Sequence, residues 1–99
     1  MASTIERLAR WYEGNCNGDW EHSFGMAIGT LDNPGWSVSV DLDETPLAQR
    51  PFDEVKDRYE DESDWMRCWK EGGKFRVACG PRRLEDALVL FLEWAERAG

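Results

Sequence analysis

The residue types most suited to chemistry are concentrated in one short stretch near the N-terminus. Residues 11–22 bring together aromatic rings, carboxylates, one of three cysteines and the only histidine of the chain. Cys16, Asp19 and His22 are all potential metal ligands, and Cys16 with His22 could act as a nucleophile and its base. Three ligands spaced by three residues, with no second Cys/His cluster, match no standard zinc pattern. The stretch therefore suggests two chemistries and completes neither.

The same stretch also has a structural interpretation, which we favour. Residues 15–18 (Asn-Cys-Asn-Gly) are typical of a turn, and Asp19 is expected to accept hydrogen bonds from backbone N–H groups. Trp11 and Trp20 then belong to the structural framework, with Trp20 in the core, while Glu21 and His22 form a local hydrogen-bonded pair. On this interpretation the chain has no catalytic residue, no metal and no cofactor.

A second thiol, Cys79, precedes Gly80-Pro81-Arg82-Arg83. A cysteine ahead of a helix start with two arginines nearby can have a lowered pKa and bind anions, which is the basis for an alternative function as a small cysteine-dependent, sulfurtransferase-like enzyme. The strand register given below instead directs Cys79 into the core, where a thiol acts as a small hydrophobic group. Arg82 and Arg83 are then expected to pair with nearby acids.

Length and charge limit the remaining functions. Ninety-nine residues form a single domain, residues 1–99, with a net charge of −8. Ten acidic and three basic residues lie between positions 41 and 64, so this segment carries most of the excess negative charge. Such a surface repels phosphate backbones and attracts basic proteins, which argues against direct binding of nucleic acid or anionic membranes.

The location of the chain is predicted from what its sequence lacks. No apolar run approaches the roughly 20 residues that span a bilayer, and the N-terminus has no basic region followed by an apolar stretch. An odd number of cysteines without C-x-x-C spacing fits a reducing compartment. We therefore predict a cytoplasmic protein that does not enter a membrane.

Hydrophobic periodicity predicts an α+β fold. Ser3 and Glu6 are spaced as a capping box before an N-terminal helix, and an apolar stripe from Leu84 to Ala95 indicates a C-terminal helix. Between the helices, a strand from about His22 to Leu31 and another over residues 36–42 alternate with period two and form a hairpin. In Asn33-Pro34-Gly35-Trp36, Pro34 and Gly35 are expected at the centre of a type II turn, with a positive φ at Gly35.

A second hairpin is predicted over residues 65–70 and 74–79, around Gly72-Gly73. Its register puts Met66, Cys68, Phe75, Val77 and Cys79 on the core face. Residues 52–59 are expected to form a polar edge strand, although a short helix also fits them. The result is an antiparallel sheet of four to five strands with both helices on one face.

The other face of this sheet is a candidate docking surface. It carries tryptophans alternating with arginines, and Trp and Arg dominate interface hot spots. The alternative is that the C-terminal helix or the ordered acidic loop covers these rings. The candidate binding residues are the tryptophans and arginines of this face together with the acids of two segments: Trp65, Arg67, Trp69, Arg76, Asp41, Asp43, Glu44, Glu60, Asp61, Glu62 and Asp64.

Several sequence blocks resemble the immunity protein 53 family of bacterial polymorphic toxin systems. They are Trp11-Tyr12, the run from Cys16 to Trp20-Glu21-His22, Gly25, the run from Thr30 to Asn33-Pro34-Gly35-Trp36, Asp41-Leu42, Thr45, Trp65, Lys74-Phe75, Gly80 and the helix from Leu84 to Trp94. The resemblance implies a non-catalytic inhibitor that protects the producing cell by binding a cognate toxin domain. It supplies no active site. It leaves open the toxin's chemistry, the contacting surface and the oligomeric state.

The acidic composition agrees independently with a toxin inhibitor. Nuclease-type toxin domains have basic clefts, and an acidic protein can occupy such a cleft while raising the association rate. A general peptide-binding adaptor that uses the open sheet face is the third possibility.

Overall fold

The structure, a computed structural model, describes residues 2–97. Within that range the chain forms three helices and a five-stranded sheet. The elements, in chain order, are α1 (Thr4–Asn15), α2 (Trp20–Ser23), β1 (Met26–Leu31), β2 (Gly35–Asp41), β3 (Val55–Asp57), β4 (Met66–Glu71), β5 (Lys74–Cys79) and α3 (Leu84–Glu96).

The sheet has strand order β1-β2-β5-β4-β3, and every neighbouring pair is antiparallel. The two hairpins therefore meet along β2 and β5, and β3 closes the far edge. The register predicted for the second hairpin is confirmed, with Met66 opposite Cys79 and Lys70 opposite Phe75. The predicted α+β fold is confirmed, and β3 is the edge strand expected within residues 52–59, although it is only three residues long.

Both long helices pack on one face of the sheet. α1 begins with the predicted capping box, in which Ser3 accepts from the Glu6 backbone N–H and Glu6 accepts from that of Ser3. Phe91 of α3 packs against Phe75 of β5, and Trp11 of α1 meets Phe91 edge-on, with ring centroids 5.1 Å apart. Each fully buried large side chain contributes about 1.5–3 kcal/mol, so this aromatic cluster helps to hold both helices on the sheet.

Two details of the first hairpin differ from expectation. The strand predicted from about His22 begins at Met26, because residues 20–23 form the short helix α2 around the buried Trp20. The predicted type II turn is wrong: the Asn33-Pro34 peptide is cis, and Gly35 has no positive φ. Gly35 is required for another reason, since a Cβ there would lie 2.2 Å from the carbonyl oxygen of Cys79 on β5.

Candidate functional site

The two acidic segments singled out in the sequence lie at opposite ends of the central strands. Asp41 at the end of β2 pairs with Lys74, next to the β4–β5 turn. Residues 60–64 lie at the other end, where the Gly80 N–H donates to the Trp65 carbonyl at 2.9 Å. The seven residues of β2 span about 20 Å, so the two segments do not form one continuous acidic surface.

The acids at the end of β2 are partly used by the fold. The Asp41 carboxylate accepts from the Gly25 N–H at 3.0 Å and forms an ion pair with Lys74. The Asp43 carbonyl accepts from the Trp20 indole N–H at 2.9 Å, while its side chain is exposed. Glu44 has a positive φ of 62° and an exposed side chain. Of Asp41, Asp43 and Glu44, the last two have side chains that make no hydrogen bond or ion pair with residues 2–97.

The loop over residues 60–64 is held in a defined shape. Asp61 Oδ1 accepts from the backbone N–H groups of Ser63 and Asp64, both at 2.8 Å, and these hydrogen bonds lower the pKa of Asp61. The Ser63 backbone lies directly against Gly80, where a Cβ would come within 2.2 Å of the Ser63 carbonyl oxygen. Asp64 also forms a salt bridge with Arg58 at 3.0 Å. These contacts hold the loop against the end of β5 in the unbound protein.

Arg83 fastens this loop to the sheet and to α3. Its guanidinium donates to Asp57 Oδ2 at 2.6 Å and to the Asp64 carbonyl at 3.1 Å, and its Nε lies 3.0 Å from Asp86 Oδ2 as an ion pair. The hydrogen bond with Asp57 raises the pKa of Arg83, against the opposing effect of burial. Of the two arginines expected to pair with acids, Arg83 does so, while Arg82 is exposed and has no ion pair with residues 2–97.

A shallow groove of about 600 Å³ opens beside this loop. Its lining residues are Asn33, Tyr59, Glu60, Asp61, Glu62 and Trp65. The Tyr59 and Trp65 rings meet edge-on with centroids 5.9 Å apart, and Tyr59 is 50% exposed. The Glu60 and Glu62 carboxylates are exposed and make no hydrogen bond or ion pair with the described part of the chain. Sequence reasoning missed Tyr59, because only the loop brings it to Trp65.

The sheet face opposite the helices carries the predicted aromatic and cationic residues. The Arg67 guanidinium lies 4.0 Å from the Trp69 ring centroid and donates to Glu54 at 2.8 Å, which raises the pKa of Arg67 and lowers that of Glu54. The Trp69 indole N–H donates to Glu71 at 2.9 Å. Arg76, opposite Trp69 on β5, is exposed and has no ion pair within residues 2–97. Because both long helices pack on the other face, these side chains remain half-buried or exposed.

The N-terminal block is arranged as a structural element, with partners that differ from those predicted. Trp20 is 2% exposed. Asn17 Oδ1 accepts from the N–H groups of Asp19 and Trp20, both at 2.9 Å, so Asn17 performs the role expected of Asp19. Glu21 accepts from the Asn17 N–H at 3.0 Å rather than from His22. Backbone N–H groups, its own first, lower the pKa of Glu21.

The three cysteines do not form a common site. Cys68 and Cys79 are buried; burial raises the pKa of Cys68 to about 12 and also raises that of Cys79. Cys16 is half-buried, and its thiol donates to the Tyr12 carbonyl at 3.4 Å. Among residues 2–97, no group of three or more His, Cys, Asp or Glu side chains is placed to hold a metal ion. The same residues include no helix long and apolar enough to cross a membrane.

The model of one protein family, immunity protein 53, matches residues 5–96, nearly the whole chain. The chain belongs to the immunity protein 53 family. This confirms the resemblance seen in the sequence and supports an immunity function. No curated protein and no solved structure matches the chain.

In this immunity protein 53 chain, the motif residues belong mainly to the framework. Trp20 is in the core, Gly35 allows β2 to approach Cys79, and the Trp36 indole N–H donates to the Pro81 carbonyl at 3.0 Å. Asn33 of the same block lines the groove. The motif residue Trp65 also lines it, whereas Glu60 and Glu62, whose carboxylates are exposed, lie outside the motif blocks.

Proposed function

We propose that this protein binds the toxin domain of a cognate bacterial polymorphic toxin and neutralises it by stoichiometric contact, without chemistry of its own. The toxin surface we expect is a basic cleft, as in nuclease-type domains. The contact surface is the groove beside residues 60–64 together with the neighbouring open sheet face.

The observation that carries this proposal is the combination of free charge and aromatic surface in the groove. Glu60 and Glu62 have no partner within residues 2–97, so their charge is available to another molecule. They lie beside Trp65 and Tyr59, whose rings can stack against a lysine or arginine side chain. Charge of this sign accelerates association with a basic protein, and aromatic anchors slow dissociation.

The open sheet face extends this surface. Trp65 immediately precedes β4 and lies two and four positions before Arg67 and Trp69, whose side chains lie on that face. Trp69 is held in place by Arg67 and Glu71, so it loses little conformational entropy when a partner covers it. The groove supplies negative charge, and the face supplies a rigid anchor.

The test uses the toxin domain encoded beside this gene and a pair of charge-reversed variants. Glu60→Lys with Glu62→Lys should lower the association rate at low salt by about tenfold and weaken its salt dependence. Asp43→Lys with Glu44→Lys makes the same charge change at the far end of the sheet and should have a much smaller effect. Stopped-flow association at several salt concentrations measures both variants.

A second arm of the experiment examines the aromatic anchors. Trp69→Ala should mainly accelerate dissociation, while a parallel urea titration shows that the variant still folds. Equal association rates for the two charge-reversed pairs would refute the groove as the contact. Loss of cell protection in a folded Cys16→Ala, His22→Ala variant would instead indicate a catalytic function.

A further inference from the structure

The two edges of the sheet are built differently. At one edge, β3 has three residues, includes Lys56, and its Asp57 is bound to Arg83. Short, charged edge strands of this kind resist pairing with other chains. At the other edge, β1 has six residues, Met-Ala-Ile-Gly-Thr-Leu, with no charge and no proline. Its residues 27–30 are all exposed. β1 therefore lacks the short length, the charge and the proline that protect many free edges.

The backbone of β1 also has a free set of hydrogen-bonding groups. The Asp41 N–H donates to the Gly25 carbonyl at 2.9 Å, so alternate residues from Gly25 onward point their backbone groups at β2. Met26, Ile28 and Thr30 consequently point their N–H and C=O groups away from the sheet. No strand within residues 2–97 pairs with them. An unpaired row of this kind is a template for strand addition.

An apolar groove of about 470 Å³ follows the same edge, between α1 and β1. Ile5, Leu8 and Tyr12 line it from the helix, and Met26 and Ile28 line it from the strand. Ile5 on α1 is 64% exposed, and Ile28 on β1 is 41% exposed. The unpaired backbone and the exposed apolar side chains thus lie side by side.

We infer that β1 pairs with β1 of a second copy of this chain, in antiparallel orientation, to form a homodimer with one continuous ten-stranded sheet. The three outward residues are symmetric about Ile28, so a two-fold axis there places Ile28 opposite its counterpart and Met26 opposite Thr30. This arrangement makes six backbone hydrogen bonds, since each outward residue donates one and accepts one. Ile28 of each copy then lies beside the apolar groove of the other.

The uncharged strand β1 favours a second copy over a basic partner at this edge. Each chain carries a net charge of −8, which opposes association of two copies, so their contact must lie on a surface that adds no further like-charge repulsion. β1 offers such a surface, and no like charges face each other in the symmetric register. A basic toxin, by contrast, finds no carboxylate on this strand. On the open face, Ala27 meets Gly29 of the other copy, and these small residues leave that surface flat.

The test measures the mass of the purified full chain over a range of concentrations, with substitutions at Ile28. We expect a dimer with a dissociation constant of about 1–100 μM by sedimentation equilibrium. Ile28→Lys places a charge on the two-fold axis and should raise that constant by at least about 100-fold, whereas Ile28→Val should preserve the dimer. Ile28 is partly exposed, so both variants should fold, which circular dichroism verifies.

Amide hydrogen exchange gives a second, residue-specific readout. At high concentration the amides of Met26, Ile28 and Thr30 should be protected, and on dilution they should exchange quickly, while those of Ala27 and Gly29 stay protected in both conditions. A chain that remains monomeric at about 1 mM, well above the expected dissociation constant, overturns the proposal. A dimer unaffected by Ile28→Lys, or protection of the outward amides only when the toxin domain is added, overturns it as well. None of these results depends on the proposed toxin contact at the groove.

Discussion

Replacing Arg83 with methionine should destabilise the protein considerably. Arg83 is 12% exposed and donates to the Asp57 carboxylate at 2.6 Å and to the Asp64 carbonyl at 3.1 Å. Methionine preserves most of the apolar stem but removes both hydrogen bonds and the charge. Three carboxylates, those of Asp57, Asp64 and Asp86, would then lose their shared cation.

The size of the effect follows from these contacts. A hydrogen bond to a charged group contributes about 1.5–3 kcal/mol when both partners are shielded from water. The Asp57 side chain is 49% exposed, so solvent screens this pair and a value near 1 kcal/mol per bond is more appropriate, on the order of exposed ion pairs. Adding the repulsion among the remaining acids, we expect a loss of about 2–3 kcal/mol in the free energy of unfolding.

Arg82 provides the matched control because it is adjacent, has the same side chain and is exposed. In urea titrations followed by tryptophan fluorescence, Arg83→Met should lower the unfolding midpoint by roughly 1–2 M, while Arg82→Met should change the free energy of unfolding by less than about 0.5 kcal/mol. Equal unfolding midpoints for the two variants would show that the contacts of Arg83 do not stabilise the loop. An Arg83→Met variant more stable than wild type would mean that burying the guanidinium costs more than its contacts contribute.

Two further predictions concern the same end of the sheet and the thiols. Gly80→Ala should lower the free energy of unfolding by about 1–3 kcal/mol, because the added Cβ would lie 2.2 Å from the Ser63 carbonyl oxygen and would force the backbone to move. Urea titration measures this loss, and an unchanged unfolding midpoint would contradict the close packing of the loop. In the folded protein, a thiolate-specific reagent at neutral pH should modify Cys16 alone, because Cys68 and Cys79 are buried and have raised pKa values. All three cysteines should react in urea. Fast labelling of Cys68 in the native state would contradict its burial.

The sheet was predictable because its signals are local and repeated. Alternation in β2 and β4 identifies which side chains face the core, and the Gly72-Gly73 turn fixes the register of the second hairpin. The open face with Arg67 and Trp69 follows directly from that register, and the structure stacks these two side chains.

Other features depend on contacts between distant segments, which composition and spacing do not reveal. The Asn33-Pro34-Gly35 sequence is typical of a type II turn, but the need for glycine at position 35 comes from the proximity of Cys79, 44 positions later in the chain. Asn17 and Asp19 are both good acceptors for backbone N–H groups, and only the path of the chain into α2 selects Asn17. The groove could not be predicted as a unit, since Tyr59 reaches Trp65 only through the loop.

The attachment of the loop over residues 60–64 has a consequence for how the proposed toxin contact could change over evolutionary time. The loop backbone is held by Gly80 and Arg83, whereas the Glu60 and Glu62 side chains project outward and contribute nothing to that attachment. Under the proposed function, recognition and folding would thus be assigned to different atoms of the same short segment. New specificities could then arise there by replacing two side chains, so the protein could follow a changing toxin while its framework stays constant.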